Sequence, residues 1–429
     1  HLTPSLALTF FPEGGSSYWF NGLERTFFAL PAGLGEKIAE YLEQPTQLEE
    51  VSPQFYNKLV EKGFLVDDSV DELNIIRERN EQAINCREYF LIILPTLNCN
   101  FKCWYCIQDH IVSKMSLATI DKVKKHIAYM IDHEKITALH LEWFGGEPFM
   151  FLNEIVKPIG QYAIKKCREG KIKFYHAATT NGYFLFPEKV KILSSLEFKR
   201  FHITLDGPQE LHDSVKFQQG CPSAFERVLI NINHILSYTS DVEILLRINY
   251  TQNNLDQRII DQINSFILCE NRSKITIVPK KVWQVNTDES IDNDVIELIE
   301  NLGQSGYNVT RLDIVNNYIS CYVDKKYYNT INFNGNVVKC TACNDLYSQT
   351  PPGHLNQDGT ISWRPGFREE FFKKRFENES CLSCDLLPIC MGACARNYGE
   401  NEQFWCKMSG NRAKIKKSII NYINYQLGA

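Results

Sequence analysis

Three cysteines follow the apolar segment Tyr89 to Pro95 in a loop short enough to bring their thiols together. Cys99, Cys103 and Cys106 are separated by gaps of three and two residues, and no fourth cysteine follows nearby. Three thiolates can hold a four-iron cubane with one iron left open, which is typical of a metal that binds a reactive ligand. A zinc site with a distant ligand such as His110, or coincidence, is the alternative interpretation.

Polar residues follow several other predicted strands, at the points where each strand ends. Paired glycines let the backbone approach a ligand closely and expose carbonyl acceptors, which suits a cationic amine. Each turn is also compatible with an ordinary strand-to-helix connection, so these residues are candidates for a ligand pocket only in combination. The candidates are Gly145, Gly146, Glu147, Thr180, Asn181, Thr204 and Asp206.

Eight cysteines lie close together in the last part of the chain. Eight thiolates can saturate two further cubanes, because closed clusters are built with four thiolates each. Two zinc ions are the alternative interpretation, since zinc accepts the same Cys-x-x-Cys pairs. The eight are Cys321, Cys340, Cys343, Cys381, Cys384, Cys390, Cys394 and Cys406.

A repeating strand and helix pattern must position these motifs. Strands are predicted near 89–97, 138–144, 173–180, 200–206, 242–250 and 274–280. Helices are predicted near 115–132, 153–169, 186–197, 224–238, 255–268 and 293–303. Six successive units indicate an α/β fold, a partial (β/α)6 barrel of parallel strands with helices outside. In such barrels the chemistry gathers where the strands end.

The pattern changes on both sides of this barrel, which indicates three domains. Residues 1–85 are expected to form a small α+β domain of winged-helix-like pattern, with a linker helix from Asp67 to Asn80. Its role is open between peptide recognition and simple packing. The barrel takes 86–308, and 309–429 form a cysteine-rich domain with a hairpin around Asn334-Gly335 and a C-terminal helix.

Composition excludes several functions. The net charge of −5 disfavours binding to nucleic acid, which requires a surplus of Lys and Arg. No apolar run is long enough to span a membrane, and residues 1 to 30 lack the pattern of a secretory signal, so a cytoplasmic protein is expected. Fifteen cysteines in a reducing compartment indicate metal ligation rather than disulfides.

The cysteine loop, with Tyr105 directly before its third cysteine, resembles the signature of the radical S-adenosylmethionine (SAM) superfamily. The resemblance implies that the open iron binds SAM and that an electron from the cluster cleaves it to a 5′-deoxyadenosyl radical. It implies that Gly145, Gly146 and Glu147 bind the methionine amine of SAM.

The same resemblance implies that further strand ends line the SAM pocket. Thr204 stands where serine is more usual, and Lys216 stands where arginine is more usual, which puts an anion contact there in doubt. Asn249 resembles the position that borders the adenosine, although a solvent-facing or core Asn is an alternative. The residues assigned to the pocket in this way are Tyr105, Thr180, Asn181, Thr204, Asp206, Lys216 and Asn249.

The C-terminal cysteines resemble the SPASM extension of radical SAM enzymes, including many that mature peptides. The resemblance assigns Cys321, Cys340 and Cys394 to one auxiliary cluster, with Cys343 as an inferred fourth ligand. It assigns the other cluster to Cys381, Cys384, Cys390 and Cys406. The expected cofactors are therefore three [4Fe-4S] clusters and SAM.

These resemblances favour a peptide-modifying radical enzyme that acts on a ribosomally made precursor peptide. An external electron donor such as flavodoxin or ferredoxin is the second expected partner. Anaerobic sulfatase maturation is disfavoured because Thr341 stands where an aspartate base is usual in that group. Oxidation of a small molecule and a zinc-stabilised binding module remain as alternatives. Asp206, Glu142 and Asp109 lie at predicted strand ends, but none is assigned as a catalytic base.

Overall fold

The structure is a computed structural model of the 429-residue chain. It describes residues 2–42, 44–238, 241–288, 291–309, 321–342, 344–368, 376–392 and 412–427. In this described part of the chain, no helix combines the length and the apolar character needed to cross a membrane.

The N-terminal segment forms an α+β arrangement, as the sequence predicts. Strands β2, β3 and β4 pair as an antiparallel sheet, and β1 pairs with β5. The elements are β1 (Leu2–Pro4), β2 (Leu8–Glu13), β3 (Ser16–Asn21), β4 (Thr26–Pro31), α1 (Ala32–Tyr41), α2 (Pro45–Val51), α3 (Pro53–Glu61), β5 (Leu65–Asp67) and α4 (Glu72–Asn85).

The central segment alternates strands and helices, and each predicted strand and helix is found to within a few residues. A π-helix at Leu152–Val156 precedes α6. The elements are β6 (Glu88–Ile93), α5 (Leu117–Asp132), β7 (Ala138–Trp143), α6 (Lys157–Gly170), β8 (Lys173–Thr180), α7 (Pro187–Ser195), β9 (Phe198–Leu205), α8 (Gln209–Val215), α9 (Ala224–Tyr238), β10 (Glu243–Tyr250), α10 (Arg258–Phe266), β11 (Ile275–Lys281), α11 (Ile291–Gln304) and β12 (Asn308–Val309). Helix α8 and strand β12 were not predicted.

Short elements follow in the C-terminal segment. The predicted hairpin is confirmed, because β13 and β14 pair antiparallel with Thr330 opposite Val338. The elements are β13 (Tyr328–Ile331), β14 (Asn336–Val338), β15 (Gly353–Leu355), β16 (Ile361–Trp363), α12 (Glu379–Leu382), α13 (Leu387–Cys390) and α14 (Arg412–Leu427).

The chain divides into two compact units, whereas the sequence predicts three domains. The first unit contains His1–Cys86, Asp313–Lys326 and Glu369–Ala429, and the second contains Arg87–Leu312 and Tyr327–Arg368. The predicted C-terminal domain is therefore shared between the two units. The reason is packing between segments distant in sequence, which local patterns do not encode.

The second unit is built around one sheet with the order β12-β11-β10-β9-β8-β7-β6-β13-β14-β15-β16. Strands β6 to β11 are parallel to their neighbours, as predicted for the barrel. The described sheet is longer than the predicted six strands because β12 adds to β11 at one edge, and because β13 adds to β6 in parallel and carries three antiparallel strands with it. Since the carboxyl ends of parallel strands share one edge, the turns after β6 to β10 converge there.

Alternation of side chains explains how the helices cover this sheet. Leu139 and Leu141 of β7, like Ile203 and Leu205 of β9, are buried in the same apolar core as helix residues Val123 and Ile127. Residues between them on each strand face the opposite side of the sheet, because strand side chains alternate. That second side is the inner face of the sheet, where polar side chains are found.

The first unit joins the two ends of the chain. Phe11 and Phe20 of the N-terminal sheet pack in one apolar cluster with Ile389 of α13 and with Ile419 and Ile423 of α14. Complete burial of a large apolar side chain stabilises by roughly 1.5–3 kcal/mol, so this cluster is a substantial stabilising contact. The N-terminal domain therefore shares its core with the segment that carries Cys381, Cys384 and Cys390.

Candidate active site

The three-cysteine loop leaves the carboxyl end of β6 and lies at the edge where the strands end. The Sγ atom of Cys99 accepts hydrogen bonds from the backbone N–H of Phe101 at 3.4 Å and from Asn181 Nδ2 at 3.6 Å. The Sγ atom of Cys106 accepts one from the N–H of Gln108 at 3.5 Å. N–H groups aimed at sulfur stabilise a thiolate, which is the form that binds metals.

Without a metal these thiols are protonated. Burial, with a smaller contribution from Glu147, raises the pKa of Cys99 to about 12. Burial also raises the pKa of Cys103 and of Cys106. Metal ligation deprotonates a thiol, and an all-sulfur donor set selects iron-sulfur clusters or zinc. Within the described ranges, no three His, Cys, Asp or Glu side chains lie close enough together to hold one metal ion.

The turn that contains Gly145 and Gly146 lies directly against the cysteine loop. The N–H of Gly146 donates to Thr96 O at 3.1 Å, and the N–H of Glu147 donates to Asn98 O at 2.9 Å. A Cβ on Gly145 would lie 2.5 Å from Thr96 O, and one on Gly146 would lie 2.1 Å from Asn98 O. The backbone of Gly145 also has φ +117°, a value that side chains rarely permit. Both glycines are therefore required by the cysteine loop itself.

The Glu147 carboxylate is fully buried and holds neighbouring strand ends together. It accepts hydrogen bonds from the N–H of Phe149 at 3.0 Å, from the Thr180 hydroxyl at 2.9 Å and from the N–H of Asn181 at 2.9 Å. Burial raises the pKa of Glu147 despite these donors. The Asn181 side chain also donates to Asn100 Oδ1 at 2.8 Å. The predicted contacts of these residues with SAM stay predictions, and their observed role is to position the cysteine loop.

Gly146→Ala tests this packing. The new methyl group would meet a backbone oxygen that cannot move without displacing the cysteine loop, so we expect a loss of about 1–3 kcal/mol or more in the free energy of unfolding. We also expect the variant to retain less iron after reconstitution. Thermal unfolding and iron content measure the two effects.

The matched control is Gly303→Ala, near the end of α11. A Cβ there would make only an ordinary contact of 3.6 Å with Val309 Cγ2, and alanine favours helix by up to about 1 kcal/mol over glycine. Equal iron content and stability in the two variants would contradict the assigned role of Gly146.

A second polar network connects the cysteine loop to β9 and β10. The Tyr105 hydroxyl donates to Asp206 Oδ1 at 2.6 Å, and Asn249 Nδ2 donates to the same oxygen at 3.0 Å and to the Tyr105 hydroxyl at 3.2 Å. Burial, followed by the nearby Asp206 carboxylate, raises the pKa of Tyr105, which is therefore a neutral donor. Three residues that the resemblance assigns to the SAM pocket thus lie together.

Lys216 completes this network from the end of α8. Its ammonium donates to the Thr204 carbonyl at 2.7 Å and to the Thr204 hydroxyl at 2.8 Å, and it lies 3.2 Å from Asp206 Oδ2. Asp206 Oδ2 has no partner with hydrogen-bond geometry, so this contact is an ion pair only. Both side chains are almost completely buried, at 2% and 1% exposure. The Lys216 ammonium is therefore already bound by Thr204 and Asp206.

The charge of Asp206 depends on these neighbours. Burial alone would raise the pKa of Asp206, but the Lys216 ammonium and the hydrogen bonds from Tyr105 and Asn249 together hold it below its usual value. The site thus contains one buried carboxylate that is ionised near neutral pH. The same groups lie near Cys103, where Lys216 favours the thiolate and Asp206 disfavours it.

Two further residues of this site were not among the candidates predicted from the sequence. Asn100 connects the cysteine loop to Asn181, and His212 Nδ1 accepts a hydrogen bond from the N–H of Asp206 at 3.2 Å. Burial lowers the pKa of His212 to about 3, so this imidazole is neutral. The only indication of these roles in the sequence was that Asn100 and His212 lie next to recognised motifs.

The other strand-end acids have separate surroundings. Glu142 accepts a hydrogen bond from the Thr179 hydroxyl at 3.0 Å, and Asp109 is exposed, with its N–H donating to the Tyr347 hydroxyl at 2.8 Å. Neither belongs to the Asp206 network as described. The structure therefore gives no reason to assign either as a base.

The C-terminal cysteines are only partly described. Cys381, Cys384 and Cys390 lie on or beside α12 and α13 in the first unit, where all three pack against apolar side chains. Cys321 belongs to the first unit and Cys340 to the second. Cys343, Cys394 and Cys406 lie outside the described residues.

Comparison with known proteins supports the resemblance to radical SAM enzymes. Residues 93–257 match the family model of the Radical SAM superfamily. The radical SAM cyclopropyl synthase TigE of Paramaledivibacter caminithermalis is 23% identical over 440 residues, which cover 87% of this chain and 88% of that protein. A cysteine-type anaerobic sulfatase-maturating enzyme of Clostridium novyi is 19% identical over 383 residues, which cover 78% of this chain and 96% of that enzyme.

A solved structure shares the fold over almost the whole chain. The crystal structure of Streptococcus suis SuiB bound to its precursor peptide SuiA superimposes with a TM-score of 0.51 at 15% identity, and it covers 94% of this chain and 98% of that one. The resemblance inferred from the cysteine loop is confirmed. Residues 93–257 form a radical SAM domain, and the chain is a relative of radical SAM cyclopropyl synthase and of anaerobic sulfatase-maturating enzyme.

Proposed function

We propose that the chain is a radical SAM peptide maturase that abstracts hydrogen from a ribosomally made precursor peptide to form a crosslink or another modification. The observation that carries the proposal is the position of Cys99, Cys103 and Cys106 beside two buried polar networks at one edge of the sheet. The likeness to SuiB, whose structure contains a precursor peptide, supports a peptide as substrate. The relationship to TigE, a radical SAM cyclopropyl synthase, supports a radical SAM reaction.

The residues of the loop fit a [4Fe-4S] cluster with one open iron. All three donors are thiols, and the hydrogen bonds to Cys99 and Cys106 favour thiolates once metal is bound. The cluster, when bound, supplies the electron that cleaves SAM. The electron itself must come from an external donor such as flavodoxin or ferredoxin.

The surrounding residues hold this loop in place. Glu147 and Asn181 fix one side of the loop, and the pair of Tyr105 with Asp206 fixes the other. A preorganised site of this kind keeps reacting groups aligned. The side chain of Asn249 and the backbone of Gly145 and Gly146 are the proposed SAM contacts.

Two auxiliary [4Fe-4S] clusters are part of the proposal. Cys381, Cys384 and Cys390 would hold one cluster together with Cys406. Cys321, Cys340 and Cys394 would hold the other with Cys343. The packing of the first three thiols against apolar side chains supports a shielded cluster. With the SAM-binding cluster, the protein would contain about twelve irons and twelve sulfides per chain.

Maturation is tested with reconstituted enzyme, SAM, a reductant and each small peptide encoded beside the gene. We expect a mass change of a few daltons in one peptide, together with formation of 5′-deoxyadenosine. The control is the enzyme with Cys99, Cys103 and Cys106 replaced by alanine, which should give neither product. Deoxyadenosine without a change in any neighbouring peptide would count against the proposal.

Sulfatase maturation is the second candidate because a relative carries that name. The buried Thr341 stands where the resemblance expects an aspartate, which disfavours it. A cysteine-containing sulfatase peptide separates the two functions, since its conversion to formylglycine would establish the alternative.

A further inference from the structure

Arg247 projects from β10 onto the inner face of the sheet. Its neighbours Leu246 and Ile248 are buried in the apolar core, and strand side chains alternate. Arg247 therefore shares a face with Asn249, whose side chain contacts Asp206. Arg247 and Asn249 therefore both lie on the inner face of the sheet.

Lys280 projects from the neighbouring strand onto the same face. Ile275 and Ile277 of β11 are buried in the apolar core, so Lys280 faces the opposite side. In the parallel register Asn249 lies beside Lys280, which places Lys280 diagonally across from Arg247. Two long cationic side chains therefore meet on the inner face.

This pair has no anionic partner among the residues that the structure describes. Arg247 Nε is buried without a hydrogen-bond acceptor. The carboxylate whose charge acts on Arg247 is Asp206, and it is already engaged by Lys216, Tyr105 and Asn249. A desolvated cation without a partner is costly, and proteins place such groups chiefly where they serve a function.

The electrostatics of the inner face agree with this geometry. Burial lowers the pKa of Arg247, and this effect exceeds the opposing effect of the Asp206 carboxylate. Burial and then the charge of Arg247 lower the pKa of Lys280. His202 faces the same side, and its pKa is lowered first by burial, while Glu142 opposes that change. An anion bound beside Arg247 and Lys280 would relieve both penalties.

We propose that Arg247 and Lys280 form an anion site on the inner face of the barrel that binds a carboxylate of the substrate peptide. This inference rests on the proposed function and specifies its substrate as a peptide with an acidic side chain or a free C-terminus near the modified residue. A guanidinium binds a carboxylate through two parallel hydrogen bonds, and the ammonium adds a third contact.

Three small probes test the site on reconstituted, SAM-loaded enzyme. N-acetyl-glutamate methylamide carries a side-chain carboxylate, N-acetyl-glutamine carries a terminal one, and N-acetyl-glutamine methylamide is neutral. We expect one carboxylate probe to bind about tenfold or more tighter than the neutral probe, as charge-assisted hydrogen bonds allow. The tighter of the two identifies the source of the carboxylate.

Variants assign the preference to the two cations. Arg247→Met and Lys280→Met should each abolish most of the preference for the carboxylate probe over the neutral one. Arg247→Lys should retain part of that preference. Lys173→Met is the matched control, because this exposed lysine lies at the amino end of strand β8, whereas the site residues gather at the carboxyl ends of the strands. It should leave the preference for the charged probe unchanged. Iron content and circular dichroism show whether each variant is folded.

Two outcomes would overturn the proposal. One is that the wild-type enzyme binds the charged and neutral probes equally. The other is that Arg247→Met weakens SAM binding without altering the preference among probes. That result would mean that Arg247 binds the carboxylate of SAM and not that of the substrate. If the preference is present but no peptide is modified, the anion site stands and the proposed maturation fails.

Discussion

Cys103→Ala is expected to abolish the cleavage of SAM. The variant removes one of three thiolates that would hold the proposed cluster, and two thiolates leave a cubane with two open irons and little protection from loss. We expect about four fewer irons per chain than in the wild type, because each cubane contains four. Iron and sulfide analysis and the yield of 5′-deoxyadenosine measure the two effects.

Cys269→Ala is the matched control for this prediction. Cys269 is exposed on a 3-10 helix at Cys269–Lys274, remote in sequence from the loop. This variant should keep the iron content and the deoxyadenosine yield of the wild type. Zinc in place of iron in the wild-type protein, or SAM cleavage by Cys103→Ala, would refute the assigned role of the loop.

Much of the fold could be predicted because the relevant signals are local. Strands β8 and β10 and helix α9 begin and end within a residue of their predicted limits. The alternation of buried and inner-face side chains along β10 is local in the same way, since that periodicity depends only on the backbone. The three-cysteine loop could be recognised for the same reason, because its spacing lies within eight residues.

The parts that could not be predicted depend on contacts between distant segments. The parallel pairing of β13 with β6 joins residues that are more than two hundred positions apart. The packing of α14 against Phe11 and Phe20 likewise joins the two ends of the chain. Local sequence patterns do not encode contacts between segments that are distant in sequence. For this reason the three expected domains do not coincide with the two compact units.

The site shows the same limit on a smaller scale. Gly145 and Gly146 were interpreted as a place where backbone approaches a ligand, and the structure adds that the same turn packs against the cysteine loop. Asp206 and Lys216 were recognised separately as candidate pocket residues. Their ion pair depends on the path of α8, which the motif does not specify. Motifs thus identified the residues, but the structure was needed to show what each one contacts.

Lys216→Met is expected to destabilise the protein by about 3–5 kcal/mol, because it leaves the Asp206 carboxylate buried without its partner. The methionine side chain fills a similar volume, so the loss reports the charge rather than a cavity. Unfolding in denaturant, followed with the iron-free protein, measures the difference between variant and wild type.

The dependence of this loss on pH gives the sharper test. In the wild type the pKa of Asp206 lies below its usual value, so its stabilisation is present above the unfolded-state pKa and is lost as pH falls through the folded-state pKa. Without Lys216, the remaining effect of burial raises the pKa of Asp206, and the ionised carboxylate then opposes folding increasingly as pH rises. The loss should therefore be larger at about pH 7 than at about pH 4.

The double variant Asp206→Asn, Lys216→Met separates this effect from simple loss of packing. It removes both charges, so it should be more stable than Lys216→Met at neutral pH and should lack the additional dependence on pH. If the single and double variants were equally stable at every pH, Lys216 would not be neutralising Asp206. The polar network around Tyr105 would then owe its arrangement to hydrogen bonds alone.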